Sequence, residues 1–230
     1  MPRKPRVTNR TLYKKKKRFW QRRTILPRSV SLNYHKFRLT ATCTARTDTG
    51  NGQCNYLFKS YNLNTVRYDP VINNFDTGLA NWTNLQAIFD LYRVQYCKIT
   101  FIPSIDLSTS LGDKEQFGAT PSMYVSYDVD NNGLNQSPGV IIQKQGSKVF
   151  SCSKRFSFSW NPKRIKSSGG GSTEPSVLGD GWMNAQGPYP NIGEAQFRSD
   201  TFTDGTGAAA LGKKVGTYLI EYYVECKGLK

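Results

Sequence analysis

Between residues 37 and 45 the apolar positions fall at every second residue. Phe37, Leu39, Ala41, Cys43 and Ala45 alternate with Arg38, Thr40, Thr42, Thr44 and Arg46. A period of two puts one set on a buried face and the other in solvent, so this segment predicts a strand with a single core-facing side. Asp48 to Gln53, with two glycines, ends it. Tyr56 to Val66 is a second extended, aromatic-rich stretch, and turn residues dominate from there to Gly78.

The period then changes. Trp82, Leu85, Ile88, Phe89 and Tyr92 recur at helical spacing behind Asn81, which predicts one helix capped by that asparagine. Val94 to Ile102 is rich in β-branched and aromatic residues, reads as a strand, and stops at Pro103. Met123, Val125, Tyr127 and Val129 alternate again until the turn Asp130 to Gly133. Further strands are predicted at Val140 to Ile142, Lys148 to Cys152, Phe156 to Trp160 and Tyr218 to Cys226. Ser104 to Thr120, Ser167 to Ser172 and the Gly, Pro and Asn-rich region from Gly179 to Gly212 are predicted loops. Many short strands, long connections and a single helix point to an all-β sandwich.

Charge changes this picture at one end only. The first 28 residues hold twelve Lys or Arg and no acid, and the first acid of the chain is Asp48. The cations are Arg3, Lys4, Arg6, Arg10, the run Lys14, Lys15, Lys16, Lys17 and Arg18, then Arg22, Arg23 and Arg28, with Phe19 and Trp20 among them. Of the formal net charge of +16, the remainder of the chain carries +4. Neighbouring like charges repel until a polyanion neutralises them, so the partner this arm predicts is nucleic acid. Cations on phosphates and rings stacked on unpaired bases hold single strands without reading sequence. The run Lys14 to Arg18 also fits a nuclear localisation signal. Charge on every face of Lys14 to Arg23 leaves no apolar stripe for a membrane-surface helix. Such an arm, set at residues 1–32, is expected to be disordered without nucleic acid, and residues 33–230 are expected to form one domain.

A second candidate group of nucleic-acid contacts is Lys154, Arg155, Lys163, Arg164 and Lys166, interleaved with Phe156, Phe158 and Trp160. The competing reading is an ordinary strand whose aromatics face the core and whose cations are solvated.

Other chemistries find little support. The five cysteines, Cys43, Cys54, Cys97, Cys152 and Cys226, are widely spaced, and His35 is the only histidine. Neither a zinc site nor a disulfide framework is expected, and the thiols are read as reduced and mostly buried in strands. Asp128, Asp130, Asn132 and Gly133 open like a calcium loop, but Gly139 stands where the bidentate acid belongs, so a tight turn is expected. Gly169, Gly170 and Gly171 lack the Lys and Ser or Thr of a phosphate loop. A single histidine beside the arm is a poor general base, so no catalytic residues, cofactor or metal are assigned and the chain is read as a non-enzyme. No stretch approaches a membrane span, and no signal peptide is read.

The segment FDLYRVQYCKITFIP, Phe89 to Pro103, resembles the capsid proteins of small circular single-stranded DNA viruses, the circovirus and cyclovirus group. The basic arm, PSMYVSYDVDN from Pro121 to Asn131 and GTYLIEYYVECKG from Gly216 to Gly228 agree in kind, order and spacing. The resemblance implies a jelly roll of two four-stranded antiparallel sheets that assembles with copies of itself into a T=1 icosahedral shell. It implies a single-stranded DNA genome packaged by the arm, nuclear import machinery as a partner of Lys14 to Arg18, a host-cell surface receptor, and residence in the virion and the host nucleus. Two rivals remain. A non-viral nucleic-acid-binding β module, of ribosomal or single-strand-binding type, also fits a basic tail, although +4 is low for a body embedded in RNA. A nuclease would need a constellation of acids that the chain does not display.

Overall fold

The computed structural model describes residues 34–69, 74–104, 121–129, 137–162, 177–178, 181–187, 189, 193–204 and 206–229. The elements are β1 (His35–Arg46), β2 (Asn55–Lys59), β3 (Arg67–Asp69), β4 (Asn74–Asp76), α1 (Trp82–Ile88), β5 (Phe89–Pro103) and β6 (Ser122–Asp128). They continue with α2 (Pro138–Ile142), β7 (Lys148–Ser151), β8 (Phe156–Trp160), β9 (Val177–Leu178), β10 (Trp182–Asn184), β11 (Glu194–Ser199) and β12 (Lys214–Leu229).

These strands form two antiparallel sheets packed face to face. In the first, β1 pairs β12 and β12 pairs β5; β5 then pairs β8 along Cys97–Phe101 and β10 at its start, with β9 beyond. In the second the order is β4, β3, β2, β11, β6, β7. Without the short strands β3, β4, β9 and β10, the frame is β1-β12-β5-β8 facing β2-β11-β6-β7. That is the expected jelly roll of four strands on four.

The alternation predicted for residues 37 to 45 holds in β1, where Leu39, Cys43 and Ala45 are buried and Phe37 and Ala41 half-buried. Aromatics fill the space between the sheets. Phe58 meets Phe197 edge-on at 5.1 Å and Tyr218 at 5.3 Å, and Tyr218 also meets Tyr56 at 5.1 Å. Edge-to-face pairs of this kind contribute about 0.5–1.5 kcal/mol each beyond their burial. Phe156 stacks between Phe101 at 5.2 Å and Phe150 at 4.3 Å, closing one end of the core.

The structure corrects three expectations. Helix α1 stops at Ile88, which is 48% exposed, and Phe89 and Tyr92 belong to β5, opposite Leu229 and Cys226 of β12. Strand pairing overrode a spacing that happened to match a helix. Asn81 precedes α1 in a left-handed conformation (φ 65°) and makes no side-chain cap bond. Val140 to Ile142 is not a strand but part of the second short helix, α2, in which Pro138 starts the first turn and only Ile141 is buried. Its β-branched residues favoured a strand only as a propensity, which context readily overrides.

The third correction concerns Gly179 to Gly212, which is not one long loop. It contains β10 and β11, and β11 lies inside the second sheet between β2 and β6. Ala195 and Phe197 face the core, while Glu194 and Gln196 are buried on the other side. The predicted loop from Ser104 lies outside the described residues from 105 to 120, as do the turn residues 130–136 and the Ser167 to Ser172 loop.

Candidate nucleic-acid interface

The arm cations from Arg3 to Arg28, with Phe19 and Trp20, and the second-group residues Lys163, Arg164 and Lys166 lie outside the described residues. Lys154 and Arg155 are exposed in the crossing from β7 to β8. The rings beside them do not accompany them outward. Phe156, Phe158 and Trp160 are all buried, and Trp160 donates its Nε1–H to Ser60 Oγ at 3.0 Å. These aromatics are core residues and cannot stack on a nucleobase.

Lys154 and Arg155 also sit far from Tyr34. Phe156 is opposite Phe101, near the end of β5, whereas His35 is opposite Cys226 and Cys226 opposite Tyr92, near its start. Phe101 is level with Tyr218 and so with Cys43, eight residues along β1 from His35, which at about 3.3 Å per residue sets the two positions roughly 26 Å apart.

A set of residues absent from the sequence-based candidates is brought together on the outer face of the first sheet. Registers place Lys36, Glu225 and Arg93 in one row, Arg38, Tyr223 and Tyr96 in the next, and Thr40, Glu221 and Lys98 in a third. Glu225 accepts from Arg93 Nε at 2.7 Å and Gln95 Nε2 at 2.8 Å, with Lys36 Nζ 3.6 Å away. Glu221 accepts from Arg38, and Lys98 Nζ lies at 3.3 Å. Burial pushes the Glu221 carboxyl up, but hydrogen bonds and charge from Arg38 and Lys98 prevail and hold it below the usual carboxylate range.

Next to these rows, Trp182 of β10 is covered on its ring by Arg93 at 4.6 Å and Lys227 at 4.1 Å, both within cation–π range. The alternation of β1 and β12 marks Lys36, Arg38, Glu221 and Glu225 as outward-facing. Which cation meets which carboxylate follows from register, and no local pattern encodes it.

The remaining titratable chemistry is quiet. All five cysteines are buried and unbridged; Cys43, Cys97 and Cys226 lie in strands, Cys54 just before β2 and Cys152 just after β7. Burial pushes the Cys226 thiol up to about 12, and burial with the Asp200 charge does the same for Cys152. His35 packs beside Phe37 and Phe89. Asp128, the first residue of the calcium-like run, is paired with Lys144. No cluster of metal-ligating side chains occurs among the described residues.

A family model described as Circovirus capsid protein matches residues 2–230. No curated protein matches the chain. Among solved structures, a chain of the mud crab tombus-like virus aligns with TM-score 0.50 and 10% identity, covering 86% of this chain and 91% of that one. A chain of the semi-empty virus-like particle of the giant freshwater prawn (Macrobrachium rosenbergii) nodavirus gives TM-score 0.50 and 10% identity over 86% and 94%. The BFDV capsid protein, solved as a decamer, is 15% identical with TM-score 0.42 over 85% and 100%. At such identities the first two likenesses are of fold.

Proposed function

The chain belongs to the circovirus capsid protein family, and from that premise we propose that it self-assembles into a T=1 icosahedral shell and packages circular single-stranded DNA through residues 1–32. Residues 33–230 are the shell-forming unit. The observation that carries the reading is the segregation of charge: twelve cations and no acid within 28 residues, joined to a body of +4.

The mechanism is counterion release. If all twelve cations meet phosphates of a single strand, log K falls with log salt at a slope of about −0.7 per contact, roughly −8 in total. One arm alone is weak at physiological salt. Shell contacts hold many arms at high effective concentration, so that together they retain a DNA circle without base specificity. The cluster Lys14 to Arg18 doubles as the import signal read by the nuclear transport machinery, which accounts for a protein of both virion and nucleus. A host surface receptor is a further partner, with no residue of this chain assigned to it.

The test is negative-stain microscopy of the full-length protein and of a form lacking residues 1–28, with the ultraviolet absorbance ratio of each. Uniform small spheres carrying nucleic acid only when the arm is present are expected. Monomers or small oligomers in both preparations, at low and high salt, would replace this reading with a solitary nucleic-acid-binding module.

A further inference from the structure

In the row Arg38, Tyr223, Tyr96, two tyrosine rings stand side by side on the face turned away from the core. Their centroids are 5.6 Å apart and their planes cross at 65°. Tyr223 is 41% exposed although it lies on the strand between β1 and β5. A cross-strand aromatic pair supports a sheet on its own account. What surrounds this pair sets it apart.

Cations stand around the rings: Arg38 in the same row, Lys36 and Arg93 in the row on one side, Lys98 in the row on the other. The carboxylates that hold them, Glu221 and Glu225, are nearly buried, whereas the side chains of Arg38 and Lys36 are 55% and 72% exposed. Each carboxylate lies between two cations from different strands. Four cations on two sunken carboxylates leave the exposed layer positive. The glutamates act as positioning residues that fix where the cations stand.

An exposed Tyr223 ring beside a half-buried Tyr96 ring, with positive charge on several sides, matches the chemistry of an unpaired nucleotide, whose base stacks on a ring while its phosphates meet cations. We infer that Tyr96 and Tyr223 form a base-stacking platform, with Lys36, Arg38 and Lys98 as phosphate contacts, in a sequence-independent single-stranded DNA site distinct from the arm. This rests on the packaging reading above. Charge selects the occupant, because a second copy of this net-basic chain would have to cover an excess of cations. Continuity adds to it: the chain that carries the arm's cations runs on into β1, the strand that carries Lys36 and Arg38.

The test is ultraviolet crosslinking of the full-length protein to oligothymidylate with mass-spectrometric mapping, together with salt titrations of binding by Y96L/Y223L and Y96F/Y223F variants. Crosslinks at Tyr96 or Tyr223 as well as in the arm are expected. The leucine pair should bind about tenfold more weakly, the effect of one lost base stack, with an unchanged salt slope because no charge is removed. The phenylalanine pair keeps both rings and should bind like the wild type. Crosslinks confined to residues 1–28 with undiminished binding by the leucine pair overturn the platform and leave packaging intact; no binding of oligothymidylate by the wild type overturns packaging itself. A loss in the phenylalanine pair equal to that in the leucine pair also overturns stacking. Should the leucine pair fail to fold, the wild-type crosslink map decides alone.

Discussion

The inner and outer faces of the first sheet are made by the same three strands, β1, β12 and β5, and are held in opposite ways. Inward, β12 presents Tyr218, Ile220, Tyr222, Val224 and Cys226, none more than 1% exposed. Outward, it presents Glu221, Tyr223, Glu225 and Lys227, of which Glu221 and Glu225 are tied to β1 and β5 by charge. Inside, energy comes from area and fit, and close packing leaves no slack for a missing ring. Outside, it comes from charges that solvent and salt weaken. Stability therefore concentrates on one face, and the other is free to carry recognition.

The largest effect should separate the faces outright. Phe101→Ala removes a fully buried ring packed on Phe156 and Tyr218, and should cost about 3–5 kcal/mol in urea unfolding. Lys98→Ala, on the other face of the same strand, should cost less than about 1 kcal/mol, since Arg38 still pairs with Glu221. Equal losses would break the contrast.

Next comes Gly216→Ala. A Cβ there would lie 2.6 Å from Phe101 Cε2 and 2.7 Å from the Ile102 carbonyl oxygen, which is backbone and cannot swing aside. A cost of about 1–3 kcal/mol is expected from overpacking. Unchanged stability would show that this end of the inner face can yield.

The outer face contributes its own term through Glu221. Its carboxyl lies below the ordinary range in the fold, so the unfolded chain binds the proton more readily. The contribution is complete above the ordinary carboxylate range and is lost as pH falls through that range toward the folded value. Glu221→Gln should be about 1–2 kcal/mol less stable at pH 7. That deficit should shrink on acidification, and a deficit independent of pH would mean the pair is not ionic.

The smallest test compares two neighbours on the inner face. Tyr222 donates its hydroxyl to Lys59 O at 2.6 Å, whereas the buried Tyr218 hydroxyl has no partner among the described residues. Tyr222→Phe should lose about 1 kcal/mol, and Tyr218→Phe should lose nothing or gain a similar amount. Thermal denaturation of both variants checks the opposite signs.

Much of this fold was legible because strands announce themselves locally. The alternations at residues 37 to 45, 123 to 129 and 156 to 160 became β1, β6 and β8; β1 and β8 bury the faces read from them, whereas in β6 Met123 and Val125 are buried but so is Ser126 on the other side. The same reasoning missed β11, because Glu194, Gln196 and Arg198 alternate with only two apolar residues, Ala195 and Phe197. Neighbouring strands and α2 bury its polar side, so its exposure pattern no longer resembles a solvent-facing strand. It erred at α1 because a three-residue spacing in Phe89 and Tyr92 served strand burial instead.

By itself, the sequence determined which residues share a face, where the charge is concentrated and which family the chain resembles, since each depends on residues close together or on composition. Only the tertiary structure decided which residues stand opposite one another. Arg38 and Glu221 are 183 positions apart, and a register shift between Tyr223 and Val224 admits Gln95 beside Glu225. Period two assigns a side chain to a face, but long-range pairing and bulges set its place along that face. For that reason the core was readable from the chain, and the rows of charge around Tyr96 and Tyr223 were not.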